Sequence, residues 1–381
     1  MKTVYFDNAA TTQVRDEVIL KVSEVLSEYG NPSSTHSFGR SSKSILEHCR
    51  KEIALIFKVS AAEIFFTSGG TEADNLILNS CVRDLKVTRI ITSKIEHHAV
   101  LHTIEELSLK YDLQVDYVNL DVNGMVDNNH LEELLKDTSK KTLVSLMHVN
   151  NEIGNRINLK QVADLCKANS ALFHSDTVQS VGHYNLDFSE IPIDFAAVSA
   201  HKFHGPKGIG FAFIRKNSGL KPSILGGEQE RGLRAGTEAV YAIAGLNKAL
   251  QISYNNIEVE ANYIKSIKNY FKDRLLQEIP NAKLNGYCGD DSLSTYTLLN
   301  VLLPITPEMG MMLLFQLDLK GIACSKGSAC QSGSVGGSHV LTEILSGGDM
   351  QKPSLRFSFS TFNTKEEVDY VIETLKDIIK P

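Results

Sequence analysis

A chain of 381 residues is long enough for one large folding unit with a smaller companion, and for a substantial buried core. Its 42% hydrophobic and 22% charged residues are the balance of an ordinary globular protein, which excludes disordered and fibrous classes. A net charge of −6 speaks against a constitutive nucleic-acid or anionic-membrane binder, and no apolar run nears the roughly 18 residues that span a bilayer.

Residues 1–8 show no apolar core region and no small-residue cleavage site, so no secretory leader is expected. Six cysteines (Cys49, Cys81, Cys166, Cys288, Cys324 and Cys330) are too few and too scattered for a disulfide scaffold. Cys49, Cys81 and Cys166 are read as packing residues. A reducing cytoplasm is the expected location.

Val14, Val18, Val22, Val25 and Tyr29 recur at helical spacing and predict a helix over 14–29. Strands are predicted over 64–66, 89–92, 114–118, 142–147, 171–174, 195–199 and 208–214, with helices over 39–57, 71–84 and 159–168 among them. This alternation predicts an α/β domain: a mostly parallel, seven-stranded sheet with helices on both faces. From about Asn255 the pattern changes. A helix over 257–279, a strand over 297–303, a Met-rich helix over 307–320 and a strand over 354–359 are predicted there. A last helix opens with the capping box Thr364-x-x-Glu367. The expected division is a large domain over 14–254 and a smaller α+β domain over 1–13 and 255–381.

In such sheets ligands sit beyond the carboxyl ends of the strands, and the polar motifs fall there repeatedly. The segment Thr67-Ser68-Gly69-Gly70-Thr71-Glu72 leads a strand through a Gly-Gly turn into a helix, where backbone N–H groups face an anion such as a phosphate. A plain tight βα connection reads the same way. In Ser199-Ala200-His201-Lys202-Phe203-His204-Gly205-Pro206, a lysine stands at a strand end before a rigid turn. It is either a surface-loop lysine or a Schiff-base lysine activated by desolvation or a neighbouring cation. Asp176, ending a buried strand, is either a helix N-cap or the acid that keeps a pyridine nitrogen protonated.

Gly327-Ser328-Ala329-Cys330 lies in a long Gly/Ser-rich stretch that reads as an exposed loop, suited to a nucleophilic cysteine that reaches substrate and then delivers its cargo. Cys324, Cys330 and His339 match no standard zinc spacing, and no metal is expected. Arg356, in the apolar strand Ser354-Leu355-Arg356-Phe357-Ser358, must be paired or must bind an anion. A structural salt bridge and a carboxylate clamp both fit.

Together these residues resemble the class V aminotransferase family of fold-type I pyridoxal-phosphate (PLP) enzymes, specifically the NifS/IscS-type cysteine desulfurases. The resemblance runs from Tyr5-Phe6-Asp7-Asn8-Ala9-Ala10 through Gly30-Asn31-Pro32, Glu96-His97-His98, Asn150-Asn151-Glu152, Asp176-Thr177-Val178-Gln179 and Arg234-Ala235-Gly236-Thr237 to Leu355-Arg356-Phe357-Ser358. The Gly-Ser-Ala-Cys signature separates desulfurases from aminotransferases.

The resemblance implies that Lys202 carries the cofactor and moves the substrate Cα proton, and that Asp176 pairs with the pyridinium nitrogen. It puts His97 on the ring face with a part in proton transfer, and Asn151 and Gln179 beside the ring hydroxyl. Gly70, Thr71, Ser199 and His201 hold the phosphate, joined by Thr237 from the second subunit of a homodimer. Arg356, with Asn31, binds the carboxylate of L-cysteine. Cys330 takes the sulfur as a persulfide, leaving alanine, and passes it to an acceptor protein, for instance for iron–sulfur cluster or thio-cofactor assembly. What ionises Cys330 is not visible, although Lys326 is near in sequence.

The long loop places the chain with the group that has an extended catalytic loop. Two departures stand out: Ser358-Phe359-Ser360 follows Arg356 where relatives often have Gly-Arg, and the tail of the housekeeping iron–sulfur subgroup is missing after Pro381. Rival readings are a selenocysteine lyase, a PLP-dependent lyase releasing sulfide, a transaminase, and a degenerate PLP-fold scaffold. The scaffold reading is disfavoured because Lys202, Asp176, Arg356 and Cys330 are all present.

Overall fold

A computed structural model of the chain describes residues 2–327 and 337–379. Strand β1 (Val4–Tyr5) precedes helices α1 (Asp16–Leu26) and α2 (Ser37–Ile56). An alternating stretch follows: β2 (Ile64–Thr67), α3 (Gly70–Arg83), β3 (Arg89–Thr92), α4 (His98–Lys110), β4 (Gln114–Tyr117), α5 (Asn128–Leu135) and β5 (Thr142–Ser145). It continues with α6 (Leu159–Ala168), β6 (Leu172–Asp176), β7 (Phe195–Ser199) and β8 (Gly210–Ile214). Helices α7 (Val240–Asn255) and α8 (Ile257–Glu278) lead to β9 (Lys283–Leu284), β10 (Leu298–Leu302) and α9 (Pro307–Leu319). The described chain closes with β11 (Ile322–Ala323), α10 (His339–Ile344), β12 (Ser354–Ser358) and α11 (Lys365–Ile379).

Seven strands form the main sheet in the order β2-β8-β7-β6-β5-β3-β4. Neighbours from β7 to β4 are parallel, and β8 alone runs against both of its partners. The carboxyl ends of β2, β3, β5, β6 and β7 therefore share one edge. Alternate side chains go to opposite faces, as the strand period requires. Phe66, Ile91, Val144 and Phe173 pack with Val18, Leu46 and Leu250, while Phe65, Ile90, Leu143 and Phe195 pack with Ile77, Val100 and Ile104. Helices thus cover both faces, which is why these strands read as continuous apolar runs.

A second core gathers α8, α11, β10 and β12 around Phe6, Phe271, Phe357 and Phe359. Phe6 and Phe359 are edge-on at 5.2 Å, so the N-terminal segment is built into this C-terminal core. Among the described residues no helix is long and apolar enough to cross a membrane.

Most predicted elements form. The capping box is present: Thr364 N–H donates to Glu367 (3.0 Å) and Glu367 N–H to Thr364 Oγ1 (3.3 Å). Cys49, Cys81 and Cys166 are buried, as their packing role requires. Four helices, α4, α5, α7 and α10, escaped the periodicity, and several predicted strands are shorter than expected. β8 starts at Gly210 and not at 208, because Gly208 adopts a φ of +76°, outside the strand region.

Candidate active site

The common strand edge opens onto a cavity of about 170 Å³. Gly70, Thr71, His97, Asn151, Asp176, Gln179, Ser199, His201, Lys202 and Arg356, all expected from the sequence, line it. Asn31 and Thr237 do not. Both are exposed and outside this cavity. Cys330 lies outside the described residues.

The β2–α3 turn forms one wall. Gly69 has φ +152°, open to glycine at little cost, and a Cβ on Gly70 would stand 2.5 Å from Val178 Cγ2. Only glycines let this helix N-terminus, with its unpaired N–H groups, come so close to the end of β6. Ser199, ending β7, borders the same turn.

Asp176 ends β6 and is 6% exposed. Its Oδ1 accepts from Val178 N–H (2.9 Å). Burial pushes its carboxyl up to about 6, against a weaker downward pull from that N–H and from Lys202. A cation brought into the cavity would restore the ionised form. Lys202 Nζ donates to the carbonyls of Ala9 (2.6 Å) and Ala10 (2.8 Å). Gln179 Nε2 also donates to Ala9 O (2.9 Å). The lysine is thus parked on the N-terminal segment, which Thr12 fixes by donating from its N–H and hydroxyl to His201 O (both 2.9 Å).

His97 is the N-cap of α4, with Nδ1 accepting from Ala99 N–H (3.1 Å). Burial first, and then Lys202 and two histidines, pulls it down to about 4. At neutral pH its ring is uncharged, with the proton on Nε2. His201 is likewise lowered to about 4 by burial and by Lys202 and Lys207.

Arg356 is 1% exposed. Nη1 donates to Asn151 O (2.7 Å) and Nη2 to Asp7 (2.9 Å), while buried Nε has no partner. The salt-bridge reading is therefore realised, and Nε remains a buried donor without a partner among the described residues. Ser325, just before the Cys330 segment, exchanges backbone hydrogen bonds with Arg356 (3.2 and 2.7 Å) and donates its hydroxyl to Asp7 (2.7 Å).

The donor set has three distinct parts: an anion turn, a buried acid, and a lysine beside a guanidinium with a free N–H. The family comparison explains that combination. The family model of class-V aminotransferases matches residues 4–371. The chain belongs to this family.

A curated relative, the cysteine desulfurase IscS of Dictyoglomus turgidum, is 38% identical over 383 residues, covering 100% of this chain and 95% of the relative. A solved NifS-like protein is 34% identical with a TM-score of 0.90, covering 99% of both chains. A solved structure described as SspA in complex with cysteine is 28% identical with a TM-score of 0.81, covering 95% of this chain and all of that one. The fold is accordingly the α/β fold of the fold-type I PLP enzymes, and the family is PLP-dependent.

Among the cavity residues that sequence reasoning missed, one is ionisable. Asp74, three positions after Thr71 on α3, is 1% exposed, with Oδ1 3.3 Å from His174 Nε2. Burial, then Asp176 and Glu96, pushes its carboxyl well above the usual range. The i, i+3 spacing from Thr71 was the available signal. Among the described residues no group of His, Cys, Asp and Glu is arranged to hold a metal ion.

Proposed function

We propose that this chain is a PLP-dependent cysteine desulfurase that takes sulfur from L-cysteine onto Cys330 and leaves L-alanine. The observation that carries this reading is the convergence of Lys202, Asp176 and Arg356, from three separate elements, on one cavity. The residues present fit the cofactor: an anion-facing glycine turn for the phosphate, a buried acid for the ring nitrogen, and a cavity-lining lysine held by two backbone carbonyls.

When bound, PLP supplies an electron sink for negative charge at the substrate Cα. Asp176 would pair with the ring nitrogen. Gly70, Thr71, Ser199 and His201 would hold the phosphate, and Asn151 and Gln179 would bond the ring-hydroxyl side. His97, lowered by burial and uncharged at neutral pH, would stack on the ring. Lys202 leaves its carbonyl rests on Ala9 and Ala10 and moves the Cα proton. Arg356 Nε binds the cysteine carboxylate, with Asn31 assisting. Cys330, as thiolate, attacks the substrate sulfur; the Cβ–S bond breaks with its electron pair on carbon, where a proton completes alanine.

In this reading residues 14–254 are the cofactor-binding domain, and 1–13 with 255–381 carry the cysteine. The enzyme works as a homodimer in which Thr237 of one copy reaches the phosphate of the other. A sulfur-acceptor protein follows it in a reducing cytoplasm, consistent with five described cysteines that are all unpaired.

The test incubates purified protein with PLP, L-cysteine and a reductant. Alanine and sulfide should form in equal amounts, and borohydride should fix the cofactor to the Lys202 peptide. K202A should lose that mass and at least about a hundredfold in rate. Pyruvate in place of alanine would identify a lyase and defeat the reading.

A further inference from the structure

Strand β2 is an edge strand, and the segment leading to Thr237 grips it at one point and the turn and helix after it at another. At the first, Glu230 Oε2 accepts from Phe66 N–H (2.8 Å) and from Arg50 Nη1 (2.6 Å), while Oε1 accepts from Arg50 Nη2 (2.7 Å). Arg50 also donates to Ile64 O (2.7 Å). Both partners are buried, at 1% and 3% exposure. At the second, Arg234 donates to both oxygens of Glu72 (2.8 and 3.2 Å), and Glu72 in turn accepts from Ser68 N–H (2.7 Å). Burial would raise the Glu72 carboxyl, but the bonds from Arg234 and Ser68 prevail and hold it below its ordinary value.

The first grip and the residue after it are two successive non-glycine residues in the left-handed region, Glu230 (φ 47°) and Arg231 (φ 57°). Such backbone persists only where its surroundings over-determine it, and it marks positions under functional constraint. A buried ion pair also stabilises little compared with apolar side chains of similar volume. Covering an edge strand therefore requires neither the strain nor the charges. What both accomplish is a fixed register. The anion turn at Ser68–Thr71 is tied to the segment that emerges three residues later as exposed Thr237, outside its own cavity.

We propose that Arg234 and Glu230 are positioning residues that hold Thr237 in register with the anion turn. A phosphate monoester bound by the turn of one copy then meets the Thr237 hydroxyl of a second copy. This rests on the reading of Thr237 given above and adds the residues that aim it.

The test uses full-length holoenzyme and two readouts: the 31P resonance of the bound cofactor phosphate, and the rate at which the cofactor is released on dilution. T237A should move the resonance and speed release about tenfold, the effect of one lost hydrogen bond to a charged group. R234M should reproduce both changes, R234K should recover most of them, and R234M/T237A should go no further than T237A. E230Q, which keeps the fold's shape at that grip, should move the resonance in the same direction. If T237A shifts the resonance while R234M and E230Q leave it at the wild-type position, the positioning role is wrong. If T237A itself changes nothing, the reading of Thr237 fails and the inference falls with it.

Discussion

Asp176 shows at the level of one residue how burial prepares the site. Burial pushes its carboxyl up to about 6, against an ordinary value of 3.8. Between those values the native state keeps a proton that the unfolded chain has released, so this group makes stability fall as pH rises through the window from about 4 to 6. His97 and His201, lowered by burial, act in the opposite sense, because the unfolded chain binds their protons first. D176N removes the Asp176 titration and also the charge that helps raise the neighbouring Asp74 carboxyl. In urea unfolding without cofactor, D176N should gain on wild type as pH rises from about 4 to 6, and a pH-independent difference would contradict the assignment. The sequence made Asp176, Lys202 and Arg356 legible because a charged residue at the end of an apolar strand, or inside one, needs a reason. It did not disclose Asp74, whose burial depends on a neighbour, His174, a hundred positions away in the chain.

Elements position these residues through close backbone approach. The Gly70 Cα lies where any Cβ would overlap Val178, 2.5 Å away. G70A should therefore cost about 1–3 kcal/mol in a denaturant titration, the usual range for overpacking, and weaken cofactor retention. V178A in the same chain should return part of both. Equal stability of G70A and wild type would show that the turn has slack. At this scale the sequence was readable where an amphipathic stripe existed, as in α6, which forms over its expected residues. It was not readable in α7, where Ile243, Ala244, Leu246 and Ala249 are buried around much of the helix and no polar face gives a period. α5 has only eight residues, too short for the periodicity to register. The strand over 142–147 ends early, at Ser145, as the chain leaves the sheet toward Asn151.

Across the whole molecule, the first dozen residues join the two cores. Asn363 accepts from Asn8 Nδ2 (3.2 Å) and Ser360 N–H (2.8 Å) and donates to Tyr5 O (3.0 Å). Ser358 Oγ accepts from Ala9 N–H (2.8 Å), next to the carbonyl on which Lys202 rests. The departure Ser358-Phe359-Ser360 after Arg356 thus has a structural use: its hydroxyls and Asn363 bracket the N-terminal segment that seats the lysine. N363A should strand buried partners and cost about 1–3 kcal/mol of stability by calorimetry or urea unfolding. A change within a few tenths would mean the bracket is redundant. These pairings cross some 350 positions, and no local pattern announces them.

The account as a whole is tested most directly at Cys330. Wild-type enzyme given L-cysteine without reductant should form about one alanine per active site, and the peptide containing Cys330 should become one sulfur atom heavier in intact-mass analysis. C330A should keep the cofactor bound through Lys202 yet release neither alanine nor sulfide above background. Alanine and sulfide from C330A at the wild-type rate would show that the sulfur never passes through Cys330, and the central claim would be wrong.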